Sequence, residues 1–530
     1  MDFFELVESG HNIFLTGSGG VGKSYNVHEL MKRNRDKKLS GHKNIALTAT
    51  TGIAALNIGG RTIHKFSGLG VYNKKTDIHK IINSDAWIDY KRNINIADIV
   101  IIDEISMLRS DSFVLLDIIF REAESTWNLD DGHCRSNLPF GGKQMIFVGD
   151  FLQLPPVVLS YENIIGPFAF QTNVWKELKI QTVYLKEVKR QSDVELITAL
   201  NELRVGKCSA KTLELFQSRI TPPHKDVISL TALNKESDVI NQKKLEEIEE
   251  PLLNFFSLKT WNQEYSNPKL QKSVNYHYYN ELKMLHNVSL KKDAKVLVTA
   301  NGRDESYING QIGTFKEVGY LLDIGIEKYS CFYHDEYDFG PLIEAKKIIP
   351  IGEHGYEYLI LDTPNILEDP NSAYKQLELF YEYHRSKALD FSPAFCLMVE
   401  VEGKAFVVRD SKEFFHPDQD DDSSTAALTV SQFPIKLGWS ISMHKSQGQT
   451  LDQVYIDPTS IFDYGQFYVA LSRCQSLDGL YLKCFPTRNI KAHPDALAFY
   501  KKLDEEILFK ENMIKQAQEM RLRLSQIIND

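Results

Sequence analysis

Short apolar runs that stop on polar or glycine residues recur along the first part of the chain. Ile13-Phe14-Leu15 runs toward Gly17, and Ile45-Ala46-Leu47-Thr48 runs into Ala49-Thr50-Thr51-Gly52. Ile99-Val100-Ile101-Ile102 ends on Asp103-Glu104, and Met145-Ile146-Phe147-Val148 on Gly149-Asp150. Unbroken apolar strands of this kind predict a parallel sheet covered on both faces. Ligands collect at the carboxyl ends of such strands, where these polar residues fall. A later set predicts a second α/β domain: Val227-Ile228-Ser229-Leu230, Val454-Tyr455-Ile456 and Leu480-Tyr481-Leu482. Between them, from about 290 to 430, the texture changes to short strands such as Lys295-Val296-Leu297-Val298 and Ala405-Phe406-Val407-Val408, with a turn at Asn309-Gly310. This is read as a β-rich insertion, with a helical pattern over 371–389. The stretch 496–528 carries Leu503, Ile507, Ile514, Ala517 and Leu524 near helical spacing and predicts a C-terminal helix.

The first run opens on a phosphate loop: Gly17, Ser18, Gly19, Gly20, Val21, Gly22, Lys23 and Ser24 complete G-x-x-x-x-G-K-[ST]. The loop sits between a strand and a helical stretch, the context that gives the motif its meaning. Glycines let the backbone turn its N–H groups onto a phosphate. Lys23 reaches the outer phosphates and Ser24 holds Mg2+. A nucleoside triphosphate is the expected fuel.

Composition narrows the rest. At 530 residues the chain needs several cores. No apolar run is long enough to span a membrane, and the amino end lacks the basic-then-apolar layout of a secretory signal. Six scattered cysteines without C-x-x-C spacing read as free thiols, and His133-Cys134 has no partner pair for zinc. The net charge of −10 argues against indiscriminate coating of nucleic acid, while leaving room for a local basic groove. The acidic stretch 418–424 and the basic run 32–38 read as solvated faces.

Asp103, at the end of a buried strand, is placed to hold Mg2+, and Glu104 to position the attacking water. Gly149-Asp150-Phe151-Leu152-Gln153-Leu154-Pro155-Pro156 puts Gln153 where it senses the γ-phosphate. With Asp103-Glu104-Ile105-Ser106-Met107, this segment resembles the 5′→3′ DNA helicases of superfamily one, group B, and within them the petite-integration-frequency helicase family. Further motifs carry the resemblance in family order: Thr51-Gly52-Ile53-Ala54-Ala55 with Thr62-Ile63-His64-Lys65-Phe66, Arg121-Glu122-Ala123 followed by Pro139-Phe140-Gly141-Gly142, and Glu187-Val188-Lys189-Arg190-Gln191. Gln432-Phe433-Pro434 leads into His444-Lys445-Ser446-Gln447-Gly448-Gln449-Thr450, and Tyr468-Val469-Ala470-Leu471-Ser472-Arg473 closes the series. The family carries a glutamine upstream of the phosphate loop that reads adenine. Here Phe3-Phe4-Glu5-Leu6-Val7-Glu8 has none, which leaves Phe3 or Phe4 to stack on a base or to pack in the core.

The resemblance implies an α/β fold of two RecA-like domains with parallel sheets plus a small SH3-like β-barrel. The first RecA-like domain covers 1–186, with a strand-splitting wedge segment near 60–80 and the wedge tip at 68–73. The second covers 187–289 and 431–495, the barrel with its insertion 290–430, and a C-terminal helix 496–530. Gln447 and Gly448 join the nucleotide site. Arg190 and Arg473 supply positive charge to the transition state when the cleft is closed. Thr50, Thr51, His64, Lys65 and Phe66 line a single-stranded DNA track on the first domain, and His444, Lys445 and Ser446 grip it from the second. A plainer reading stands beside each: salt bridging for the arginines, core packing for Phe66, a surface hairpin for 68–73.

The function expected is ATP-dependent 5′→3′ DNA unwinding with Mg2+, on single-stranded and forked or tailed duplex DNA, by an intracellular monomer working with replication or repair proteins. A single-strand translocase that remodels complexes without opening duplex is the alternative. A DNA-binding structural protein with a dead ATPase and a metabolic P-loop kinase are more distant, because Lys23, Glu104 and Arg473 are all present.

Overall fold

The computed structural model describes residues 2–36, 42–69, 78–84, 87–125, 136–158, 166–188, 190–191, 193–223, 227–261, 287–299, 311–323, 348–351, 357–360, 394–401, 403–409, 411–415 and 428–529. Two compact units make up the chain, one from Met1–Glu236 with Ile441–Asp530 and one from Ser237–Ser440. The wedge tip at 70–73, His133-Cys134, Lys189, the Asn309-Gly310 turn, the helical pattern 371–389 and the acidic stretch 418–424 lie outside the described residues.

The first unit is built on a parallel sheet of β1 (Ile13–Gly17), β2 (Ile45–Ala49), β3 (Arg61–Thr62), β4 (Ile99–Asp103), β5 (Gln144–Gly149) and β6 (Gln181–Leu185), ordered β3-β2-β4-β5-β1-β6. The expected strands are all present, and their apolar continuity has the expected cause. Successive side chains alternate between faces, and each face has its own core. Ile13, Leu15, Ile101, Ile146 and Val148 pack with Phe3, Leu6, Val27 and Leu30 on one side. Phe14, Ile102 and Phe147 pack with Phe113, Phe151 and Trp175 on the other.

A second parallel set in the same unit pairs Val454–Ile456 with Ile228–Thr231 on one side and Leu480–Leu482 on the other. The C-terminal helix runs over Pro494–Asn529. Its first turns enter the Phe14 core: Ala496, Tyr500 and Leu503 are buried, and Phe499 stacks on Phe170 with ring centroids 4.4 Å apart. No described helix is long and apolar enough to cross a membrane.

The second unit is β-rich and antiparallel. Ile312–Asp323 pairs with Lys295–Val298, Glu357–Ile360 and Ala394–Val401, and Ala394–Val401 pairs in turn with Lys404–Arg409. A register shift between Phe315 and Glu317 bends the long strand. Val296, Val298, Phe315, Leu397, Val399, Val408 and Ile435 form its core.

Candidate active site

The phosphate loop joins β1 to the helix Lys23–Arg35. Its glycines answer a spatial demand. Gly20 has φ +81°, and a Cβ there would fall 2.6 Å from Arg190 Cβ. Only a residue without a side chain lets the 190 segment come this close. The contact is made in backbone, since Arg190 N donates to Gly20 O at 3.0 Å. Next along the loop, Gly19 N donates to the Tyr468 hydroxyl at 2.8 Å. Two distant motifs therefore meet the loop directly.

A cavity of about 380 Å³ opens on this loop, lined by Gly19, Gly20, Gly22, Lys23, Ser24, Glu104, Gln153, Arg190, Gly448 and Arg473 among others. Lys23 Nζ donates to Gly17 O and Ser18 O, both at 2.9 Å. Burial lowers its pKa, and nearby Asp150 and Glu104 oppose that. Asp103 accepts from Glu104 N at 2.8 Å. Burial and the neighbouring Glu104 charge push its carboxyl up to about 7. Glu104 adopts the left-handed region at φ 53° and caps the short helix Ile105–Met107. A non-glycine residue there stores on the order of 1 kcal/mol or more, a strain that clusters at functional sites. Its carboxylate accepts from Gln447 Nε2 at 3.0 Å.

Arg473 is 2% exposed. It donates to Val469 O at 2.9 Å, Gln449 O at 3.3 Å and Ser472 Oγ at 2.8 Å. Arg190 is half-buried and donates to Ser472 O at 3.2 Å. Among the described residues neither guanidinium forms an ion pair with a carboxylate. Burial and the proximity of Arg190 push Arg473 down to about 9. A buried guanidinium and a half-buried one side by side, without a carboxylate partner among the described residues, are costly unless an anion completes them.

These features fit a Mg2+-triphosphate. The glycine-rich loop offers backbone donors, and three cations, Lys23, Arg190 and Arg473, line the cavity. Mg2+ takes one or two carboxylates and completes its shell with water and phosphate oxygens. Ser24 lines the cavity, as does Glu104 next to Asp103, and Ser24 and Asp103 are the residues that would hold the ion. No cluster of three His, Cys, Asp or Glu side chains capable of holding a metal occurs among the described residues.

Behind the loop lies a buried polar network that the motifs did not announce. Arg204 grips Asp150 with two bonds of 2.8 Å and contacts the Tyr184 hydroxyl at 3.2 Å. Its guanidinium lies over the Tyr500 ring at 4.9 Å. Tyr500 from the C-terminal helix shares a 2.6 Å hydrogen bond with Thr16, the residue before Gly17, and accepts from Phe151 N at 3.2 Å. Tyr468, Arg204 and Tyr500 had no local sequence signal, although Tyr468 stands in a motif singled out for its arginine.

The proposed DNA-track residues fare unevenly. Phe66 does not face solvent. It is 4% exposed in the Phe14 core and packs near Phe120 at 6.2 Å between centroids, so stacking on a base is ruled out for it. Ser446 is fully buried and donates to Met443 O at 2.7 Å, which removes it from a strand grip. The Thr50 hydroxyl donates to Glu104 O at 2.9 Å and has no proton left for a phosphate. Thr51 caps the next helix by accepting from Ala54 N at 3.2 Å. His64, His444 and Lys445 are half-buried and Lys65 is exposed. Burial lowers the His444 pKa, and Asp463 opposes the shift.

A phosphate loop, a strand-end carboxylate pair and two arginines brought from later motifs define a P-loop α/β protein. A family model described as PIF1-like helicase matches residues 4–213. "ATP-dependent DNA helicase RRM3" of Saccharomyces cerevisiae is 31% identical over 516 residues, covering 94% of this chain. The chain spans 66% of that yeast protein's length. The crystal structure of Pif1 helicase from Candida albicans is similar with a TM-score of 0.69 at 29% identity, covering 94% of this chain and 97% of that one. Pif1 helicase from Bacteroides in complex with ADP-AlF3 and ssDNA shares the fold, with a TM-score of 0.62 at 22% identity over 96% of this chain and 97% of that one. The chain belongs to the PIF1-like helicase family.

Proposed function

We propose that this chain is an ATP-driven DNA helicase that tracks 5′→3′ along one strand and separates duplex. The observation that carries the reading is the presence of Arg190 and Arg473, without carboxylate partners among the described residues, in the same cavity as Lys23 and Glu104. Phosphoryl transfer concentrates negative charge on the γ-phosphoryl oxygens, and preorganised cations stabilise it. Both arginines belong to segments beyond the phosphate-loop sheet, so their approach couples chemistry to movement of those segments. Mg2+, held by Ser24 and Asp103, neutralises phosphate charge when bound. Glu104 orients the attacking water, Gln447 holds Glu104 in place, and Gln153 lies where it meets the γ-phosphate. We read the antiparallel unit as an SH3-like barrel bearing an insertion.

The relatives' names speak of ATP and DNA, and the Bacteroides complex pairs a nucleotide analogue with ssDNA. On this chain the strand track falls to Thr51, His64, Lys65, His444 and Lys445. Separating one base-pair step costs about 1.4 kcal/mol, within reach of closure driven by triphosphate binding.

A forked duplex tests the reading. With ATP, release of the labelled strand is expected from a 5′-tailed fork and not from a 3′-tailed one. ATP turnover stimulated by single-stranded DNA without strand release would assign a translocase instead. Turnover indifferent to DNA would overturn both. His444→Ala is expected to raise the DNA concentration for half-maximal stimulation about tenfold and to leave basal turnover within a factor of about two. Equal losses in both would remove His444 from the track. Gln447→Ala is expected to lower kcat by about tenfold with little change in KM, because it releases Glu104 without touching nucleotide binding.

A further inference from the structure

The floor of the cavity is polar, but its rim carries a large aromatic side chain that packs on little. Tyr25 directly follows Ser24 on the helix Lys23–Arg35, lines the cavity and is 71% exposed. Its position along the loop has a direction. Backbone N–H groups of a phosphate loop cradle the α- and β-phosphates, while the lysine reaches the β- and γ-phosphates. Lys23, Glu104 and Arg473 therefore mark the end of the cavity where chemistry occurs. Tyr25 follows the lysine and serine of the loop, on the α-phosphate side, from which sugar and base would emerge. Thr450 and Gln475, both exposed, also line the cavity. The other aromatic residues near the amino end are engaged elsewhere: Phe3 is 4% exposed in the sheet core, and Phe4 lies beneath Arg33 at 3.6 Å.

We infer that Tyr25 is the platform on which the nucleobase stacks, and that the site accepts purine bases without reading adenine. The inference rests on the nucleotide reading given above and adds its base specificity. Every base offers a π-face, so stacking gains affinity with little regard to identity. Selecting adenine takes directional hydrogen bonds to its edge, and a phenol ring stacked face-on supplies none. An exposed tyrosine also loses little stability when replaced, which makes it open to mutation.

The test is equilibrium binding of ADP, GDP and inorganic pyrophosphate, each with Mg2+, to the full chain and to its Tyr25→Ala and Tyr25→Phe variants. The unaltered protein is expected to bind ADP and GDP within about threefold of each other. Tyr25→Ala is expected to weaken both by about tenfold or more, and Tyr25→Phe to retain them. Pyrophosphate, which has no base, is expected to bind all three proteins equally. Unchanged ADP binding by Tyr25→Ala would overturn the inference, as would a parallel loss of pyrophosphate or a strong preference for ADP over GDP in the unaltered protein. A protein that bound ADP and GDP no more tightly than pyrophosphate would overturn it too, while leaving a phosphate site standing. Binding of none of the three would instead bring down the nucleotide reading itself.

Discussion

Arg473→Ala is expected to lower DNA-stimulated ATP turnover by about a thousandfold or more, while ADP binding changes only a few-fold. The asymmetry follows from where the charge acts. A guanidinium beside the γ-phosphoryl group gains most when negative charge accumulates there, so its loss falls on kcat more than on ground-state binding. The fold also indicates what the substitution does to stability. Arg473 is buried without a carboxylate partner among the described residues, and burial with Arg190 nearby already pushes it down to about 9. Removing that charge relieves a desolvation cost. It also strips a donor from the Gln449 carbonyl, a loss of about 1–3 kcal/mol when such a group stays buried and unpaired, while the Val469 carbonyl keeps the Ser472 hydroxyl as a donor. The two effects oppose, so the melting temperature of the nucleotide-free protein should move little while turnover collapses. Arg473→Lys keeps the charge but not the forked geometry, and a partial recovery of turnover is expected. Steady-state kinetics at saturating single-stranded DNA, paired with thermal melts, checks all three. Normal turnover by Arg473→Ala would remove this arginine from the mechanism.

The same pocket shows how far sequence reasoning reaches. The phosphate loop, the Asp103-Glu104 pair and Arg190 with Arg473 were legible because each is a local word whose chemistry demands particular residue types. Their meeting in one cavity was legible only through motif order. Side-chain direction was the weak point. Motif position suggested that His64, Lys65 and Phe66 face a strand, yet Ile63, Phe66 and Ser67 share the inner face of the helix Ile63–Ser67 at positions i, i+3 and i+4. That spacing assigns Phe66 to the core, and periodicity should have outweighed the motif there. Ser446 failed for a related reason: a hydroxyl in a motif is as readily an internal brace as a ligand contact. The Arg204, Asp150, Tyr500 and Thr16 cluster was not legible at all. Its members are spread from the phosphate-loop strand to the C-terminal helix, and no local pattern announces a pair brought together only by the fold.

That cluster carries the second large effect. Arg204→Ala is expected to cost about 3–5 kcal/mol of stability, seen as a fall in melting temperature of about 10 °C. Asp150 is fully buried, and in the native protein Arg204 and its bonds hold the carboxyl below the usual carboxylate range against the opposing effect of burial. A depressed carboxyl stabilises the fold above its unfolded pKa and loses that contribution as pH falls through the folded pKa. Without Arg204 the sign reverses. Burial then favours the protonated acid, and keeping Asp150 ionised near neutrality becomes costly. The deficit of the variant should therefore be largest at neutral pH and should narrow as pH drops toward about 4. Replacing both partners, as in Asp150→Asn with Arg204→Met, removes the stranded charge and is expected to recover much of the loss, since asparagine still accepts from Leu152 N, as Asp150 does at 3.1 Å. Tyr500→Phe probes the same network more gently. It breaks the link to Thr16 and Phe151 N while keeping the ring under Arg204, and the phosphate loop should loosen without global unfolding. Melting curves of the single and double variants across pH 4 to 8 decide the matter. An Arg204→Ala protein as stable as the parent at neutral pH would mean that Asp150 finds another partner, and that the loop is not braced from behind by this pair.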